Sequence, residues 1–254
     1  MRLTSIRAAV LALVVAAPLA HAENVRVAVI DPLSGSFAPL GENQLRSWQY
    51  MAEMANKNKW AGEHTLEFVG FDNKAGVQDS LTALKRAIDQ GYRYIAQANS
   101  SGVALALVDA VDKHNARNPG KEIVYFNHGA VDPELTNAKC SFWHFSFDSN
   151  ADMKMQALVN HLSRDQSIKN VYIIGQDYAF GRSVSKSAKE MLAKQRPDIK
   201  IVGDELHPIG MVKDFAPYVA KIKAAGADTV ITGNWGADLS LLIKAARDAG
   251  LEAN

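Results

Sequence analysis

The chain of 254 residues has one cysteine, Cys140, so no intrachain disulfide can hold it together. A lone cysteine of this kind is expected to be a buried, inert thiol. An excess of charge of either sign is also missing, with 28 Lys and Arg against 27 Asp and Glu. A nucleic-acid binder carries a basic footprint, and this balance excludes one. Also absent are a Walker phosphate loop, a Gly-x-Gly-x-x-Gly turn after the first strand-like run, a Gly-x-Ser-x-Gly elbow and a His-Glu-x-x-His pair. The common signatures of nucleotide, dinucleotide, serine-hydrolase and zinc-protease chemistry are therefore lacking. The histidines are dispersed without zinc-ligand spacing, and neither a metal nor a cofactor is expected. Beyond the first 22 residues, no apolar run is long enough to span a bilayer.

What the N-terminus does contain is the three-part pattern of an export signal. Arg2 and Arg7 form a positive start, residues 8–17 are unbroken apolar, and Ala20-His21-Ala22 is a small-x-small site before Glu23. The apolar run falls short of the roughly 20 residues that a membrane span needs. Residues 1–22 therefore read as a signal peptide cleaved after Ala22, which sends the mature protein out of the cytoplasm. No cysteine follows the run to take a lipid anchor.

The remainder alternates strand-like and helix-like segments. Short apolar runs at 25–30, 66–71, 94–98 and 123–126 are separated by helical spacings such as Leu45, Trp48, Ala52 and Ala55. The rhythm restarts with a helix capped by Ser149 and continues through strands at 171–174, 201–203 and 229–232. Strands alternating with helices at these lengths imply βαβ units: an α/β protein with mainly parallel sheets. The irregular, aromatic-rich connection at 139–149 divides it into a first lobe, 23–140, and a second, 141–254. A further strand is expected about where the sequence stops at Asn254, so the second lobe reads as incomplete, from a fragment or a truncated product.

In open parallel sheets, ligands bind beyond the carboxyl ends of strands. Here those loops carry several candidates. Asn99-Ser-Ser-Gly102 opens a helix, and helix-end N–H groups beside the hydroxyls of Ser100 and Ser101 suit a carboxylate. Either serine taken alone could simply cap the helix. Gly129, Ala130 and Val131 follow the fourth strand. Tyr178, Phe180 and Trp235 fall at strand ends of the second half, where three aromatics at equivalent places read as a stacking wall. His128 and Asp177 lie in these loops and could act as a catalytic base, but no nucleophile accompanies them.

These loops resemble the substrate-binding proteins of branched-chain amino acid ABC transporters, the leucine/isoleucine/valine type. The resemblance rests on Pro32-Leu-Ser-Gly-Ser-Phe-Ala-Pro-Leu-Gly41, Asp72-Asn73, Ser100-Ser101-Gly102, Asp132-Pro-Glu-Leu-Thr136, Asp177-Tyr-Ala-Phe-Gly181 and Ala246-Arg-Asp-Ala-Gly-Leu251. It implies two Rossmann-like lobes of the type I periplasmic binding protein fold, hinged and closing on a small ligand, with no catalysis. The partners it implies are a small carboxylate and a membrane permease, bound by a monomer. By the same resemblance, Ser101 takes the ligand carboxylate, aided by the loop of Gly129, Ala130 and Val131, with Phe180 and Trp235 on the other side.

Two departures bear on the ligand. Val131 and Phe180 lack hydroxyls that the family carries there, which makes the site more apolar and aromatic than leucine needs. The family's acidic partner for an α-amine would follow Asn254. The ligand is thus a branched-chain or other hydrophobic amino acid, with an aromatic carboxylate as the alternative. A ligand sensor on the same fold and an exported hydrolase using His128 or Asp177 are the competing functions.

Overall fold

A computed structural model describes residues 22–254, so all of the expected signal peptide except Ala22 lies outside the described residues. The first lobe contains β1 (Asn24–Asp31), α1 (Ala38–Lys57), β2 (Thr65–Asp72), α2 (Val77–Asp89), β3 (Tyr94–Gln97), α3 (Ser101–Arg117), β4 (Val124–Asn127) and β5 (His144–Ser146). Its five strands form one parallel sheet in the order β2-β1-β3-β4-β5. The second lobe contains α4 (Ala151–Leu162), β6 (Asn170–Gln176), α5 (Ala179–Gln195), β7 (Lys200–His207), α6 (Ala216–Ala224), β8 (Thr229–Gly233) and α7 (Gly236–Asp248). Among the described residues its sheet is three-stranded and parallel, in the order β7-β6-β8.

Alternation along the central strands explains the layering, because successive side chains point to opposite faces. On β1, Ala28 and Ile30 pack with Ile95 against Leu84, Val103 and Leu107 of α2 and α3. Val27 and Val29 face the other way, toward Leu45 and Trp48 of α1. On β6, Val171 and Ile173 join Val159, Val184 and Leu192 of α4 and α5. Tyr172 and Ile174 join Val219, Ile222 and Leu242 of α6 and α7. Strands covered on both faces read as continuous apolar runs, as these do.

The structure departs from the sequence expectations at definite places. β5 lies after the expected division at residue 140 and pairs with β4, so the first sheet gains a strand that the sequence did not announce. Its three residues are too few for a visible period, and backbone pairing to Tyr125–Asn127 makes the strand. The helix expected to be capped by Ser149 is capped one residue later, where the Asn150 side chain accepts from the Met153 N–H at 3.0 Å. β7 is longer than expected because its charged residues are matched across the edge. Asp204 accepts from Ser185 and pairs with Lys189, while Glu205 meets Tyr172 and Lys221. Cys140 is exposed rather than buried, lying in the turn after the Pro133–Thr136 3-10 helix with its N–H on the Asn137 carbonyl. At Asn254 the backbone exchanges hydrogen bonds with Asp228 and Val230, alongside β8.

Candidate functional site

The loops after β3, β4, β6 and β8 line a single cleft of about 340 Å³ between the lobes. All eight residues singled out in the sequence lie on its walls: Ser100, Ser101, Gly129, Ala130 and Val131 on one side, Tyr178, Phe180 and Trp235 on the other. Phe180 occupies the first turn of α5 rather than a loop, while Tyr178 and Trp235 are the residues immediately preceding α5 and α7.

Ser100 carries the strain of the first wall. Its φ of 80° and ψ of 111° place a non-glycine residue in the left-handed half of backbone space, at a cost on the order of 1–3 kcal/mol. The conformation is held from beneath by the Gln97 amide, which donates to the carbonyls of Asn99 and Ser100. The Ser100 hydroxyl accepts a long bond from the Val103 N–H at 3.5 Å. Ser101 is 2% exposed, and its hydroxyl accepts from the Asp132 N–H at 3.2 Å, which leaves the hydroxyl proton free to donate. The N–H groups of Ser101 and Gly102, the first two of α3, have no intrahelical acceptor by the geometry of a helix start. They supply donors and a positive dipole end to this wall.

Beneath it lies a buried polar cluster. Asp31 is fully buried, and burial pushes its carboxyl up to about 6 despite N–H donors from Asn99 and Ala98 and the Asn99 amide. Burial pushes His128 down to about 4. The Trp48 indole donates to His128 Nε2 at 3.2 Å, which fixes the neutral ring with its proton on Nδ1. The 3.7 Å separation of His128 Nε2 from Asp31 Oδ2 is thus no ion pair at neutral pH.

Opposite, the Trp235 indole donates to the Tyr178 hydroxyl at 2.6 Å, and the Tyr178 and Phe180 rings lie 6.2 Å apart. Asp177, the other candidate base, does not line the cleft; it is exposed and paired with Arg182 at 2.7 Å. The structure also adds residues that the sequence argument did not select: Gln44, and the ion pair of Asp148 with Lys154 at 2.6 Å. Gln44 stands one helical turn after Leu40, which also lines the cleft, and that spacing was the available signal. Nothing local marks Asp148 and Lys154. Among the described residues, no group of three potential metal ligands exists, and no helix is long and apolar enough to cross a membrane.

Comparison with known proteins fits this geometry. Residues 24–254 match the family described as periplasmic binding protein. The Leu/Ile/Val-binding protein homolog 4 of Brucella abortus is 37% identical over 240 residues, covering 92% of this chain and 56% of the relative. The chain thus spans just over half the length of the curated relatives it matches. A leucine-, isoleucine-, valine-, threonine- and alanine-binding protein from Brucella ovis, solved in a closed conformation, is 37% identical with a TM-score of 0.75, over 92% of this chain and 60% of that one. An ABC transporter solute-binding protein from R. palustris, solved with 4-hydroxybenzoate, shares the fold at 24% identity and a TM-score of 0.75, over 90% of this chain and 59% of that one. By its sequence match, its paired parallel sheets and the cleft between them, the chain belongs to the periplasmic binding protein family.

Proposed function

We propose that the protein, exported to the periplasm and cleaved after Ala22, captures a small carboxylate between its lobes and delivers it to the permease of an ABC importer as a monomer. The observation that carries this reading is the opposition of the α3 start, with Ser100 and Ser101, to the aromatic wall of Tyr178, Phe180 and Trp235 across one cleft. Free N–H donors and the helix dipole favour the anionic end of a ligand. The aromatic side takes an apolar body, and the volume lies within the range of small-ligand sites. Binding needs no chemistry, and the family is one of binding proteins rather than enzymes.

A branched-chain or other hydrophobic amino acid is the first choice of ligand, supported by the Brucella relatives at 37% identity. A specific observation favours an aromatic carboxylate as the second. Val131 and Phe180 line the cleft without hydroxyls, so its interior offers ring-stacking surface where a polar headgroup would need partners. Calorimetric titration with L-leucine, L-isoleucine, L-valine, benzoate and 4-hydroxybenzoate tests both. Saturable binding of one class is expected; heat of dilution alone across the panel contradicts the proposal.

A further inference from the structure

Phe37 belongs to the first lobe, in the 3-10 turn Gly35–Phe37 that follows β1, yet it is only 8% exposed. Its cover comes from the second lobe. The Trp235 ring lies 4.6 Å from it, centroid to centroid, at 37°. On two further sides stand Gly210 and Gly236, where an added Cβ would come within 2.8 and 3.0 Å of the phenyl ring. Both glycines have left-handed φ values, +68° and +60°. The socket therefore requires glycine twice over, for the backbone it adopts and for the room it leaves.

Plug and socket are each fixed from within their own lobe. The Gln176 amide donates to the Trp235 carbonyl at 3.2 Å and to Asp238 Oδ2 at 2.8 Å, and the same oxygen accepts from the Gly210 N–H at 2.8 Å. Gln176 and Asp238 are 0% and 1% exposed, so this network is a rigid floor. On the other side, the Leu33 N–H and the Ser34 hydroxyl bond to the Asp72 carboxylate at 2.9 and 2.6 Å, anchoring the loop that presents Phe37. Phe37 does not line the cleft, but Trp235 does, and Trp235 holds Tyr178 through its indole N–H.

We infer that Phe37 is a positioning residue for the ligand site: an aromatic latch that seats in the Gly210–Trp235–Gly236 socket when the cleft closes. Seating holds Trp235 and Tyr178 in place as one wall of the cleft and slows reopening. Elsewhere along the interface the Ser183 hydroxyl lies 3.1 Å from Asp132 Oδ2 and the Tyr178 ring faces Gly102, so Phe37 is one of several contacts across the cleft and the one seated in a socket. The inference rests on the solute-binding reading only for the ligand it would retain; the latch itself is a property of the closed lobes.

Pulsed electron spin resonance between labels at Lys57→Cys and Lys194→Cys, in a Cys140→Ser background of the full chain, measures the separation of the lobes. Without ligand, the protein is expected to show a resolved closed population that Phe37→Ala depletes about tenfold, the loss of one buried aromatic contact. Phe37→Leu is expected to deplete it less, and it carries the test if the alanine variant fails to fold. With L-leucine or 4-hydroxybenzoate, whichever binds, Phe37→Ala should raise the dissociation rate and leave the association rate unchanged. Distance distributions that match in all three proteins, or no closed population in the unsubstituted one, would overturn the latch. Failure of both ligands to bind would instead count against the solute-binding reading, since the ligand-free distances decide the latch separately.

Discussion

Trp235 donates its indole N–H to the hydroxyl of Tyr178 at 2.6 Å, joining the segment before α7 to the segment before α5 in one aromatic wall. Burial holds the Tyr178 hydroxyl well above its usual titration range, so it stays protonated, and its own proton remains to donate. Tyr178→Phe removes the acceptor and leaves a half-buried N–H unpaired. The expected cost is about 1 kcal/mol of stability in urea unfolding, with a red shift in tryptophan emission. Unchanged stability and emission would mean that the bond does not order the wall.

Asp31 and His128 sit under the first wall with opposite pH linkage. Asp31, pushed from 3.8 up to about 6 by burial, binds a proton more tightly folded than unfolded, so its contribution is lost as pH rises from about 4 to 6. His128, pushed from 6.5 down to about 4 by burial, contributes stability that is complete above 6.5 and is lost as pH falls toward 4. Each is worth up to about 3 kcal/mol, and in the unsubstituted protein the two largely offset. Denaturant unfolding across pH 4 to 7 should show Asp31→Asn gaining on the unsubstituted protein as pH rises, and His128→Gln losing ground. Three parallel stability curves would show that neither group is perturbed.

Much of this architecture was legible in the sequence because burial on both sides of a strand leaves an apolar run such as the one in β6. The loops after those strands then located the cleft, since a parallel sheet presents them at one end. What escaped was made by contacts distant in sequence. β5 exists through pairing with β4. The length of β7 depends on Ser185, Lys189 and Lys221 meeting its acidic residues. Asp148, which holds Lys154, lies at the cleft because it follows β5, the strand that the sequence did not announce. Phe37 is covered only because its socket is built from the other lobe.

Cys140, expected to be buried, is exposed. Iodoacetamide under native conditions should therefore add one carbamidomethyl group per chain, read by mass spectrometry, without loss of secondary structure. Modification seen only after denaturation would place the thiol inside.

If the α3 start holds the ligand's carboxylate, Ser101 is the side chain whose loss should be felt. Its hydroxyl keeps a free proton while accepting from the Asp132 N–H, so Ser101→Ala removes a donor from the site and an acceptor from the loop. The measurement is a calorimetric titration of the protein and of Ser101→Ala with whichever of L-leucine or 4-hydroxybenzoate binds. A loss of about 1–3 kcal/mol of affinity with the fold retained is the predicted result. Equal affinity in the two proteins would remove Ser101 from the site and the carboxylate from the α3 start.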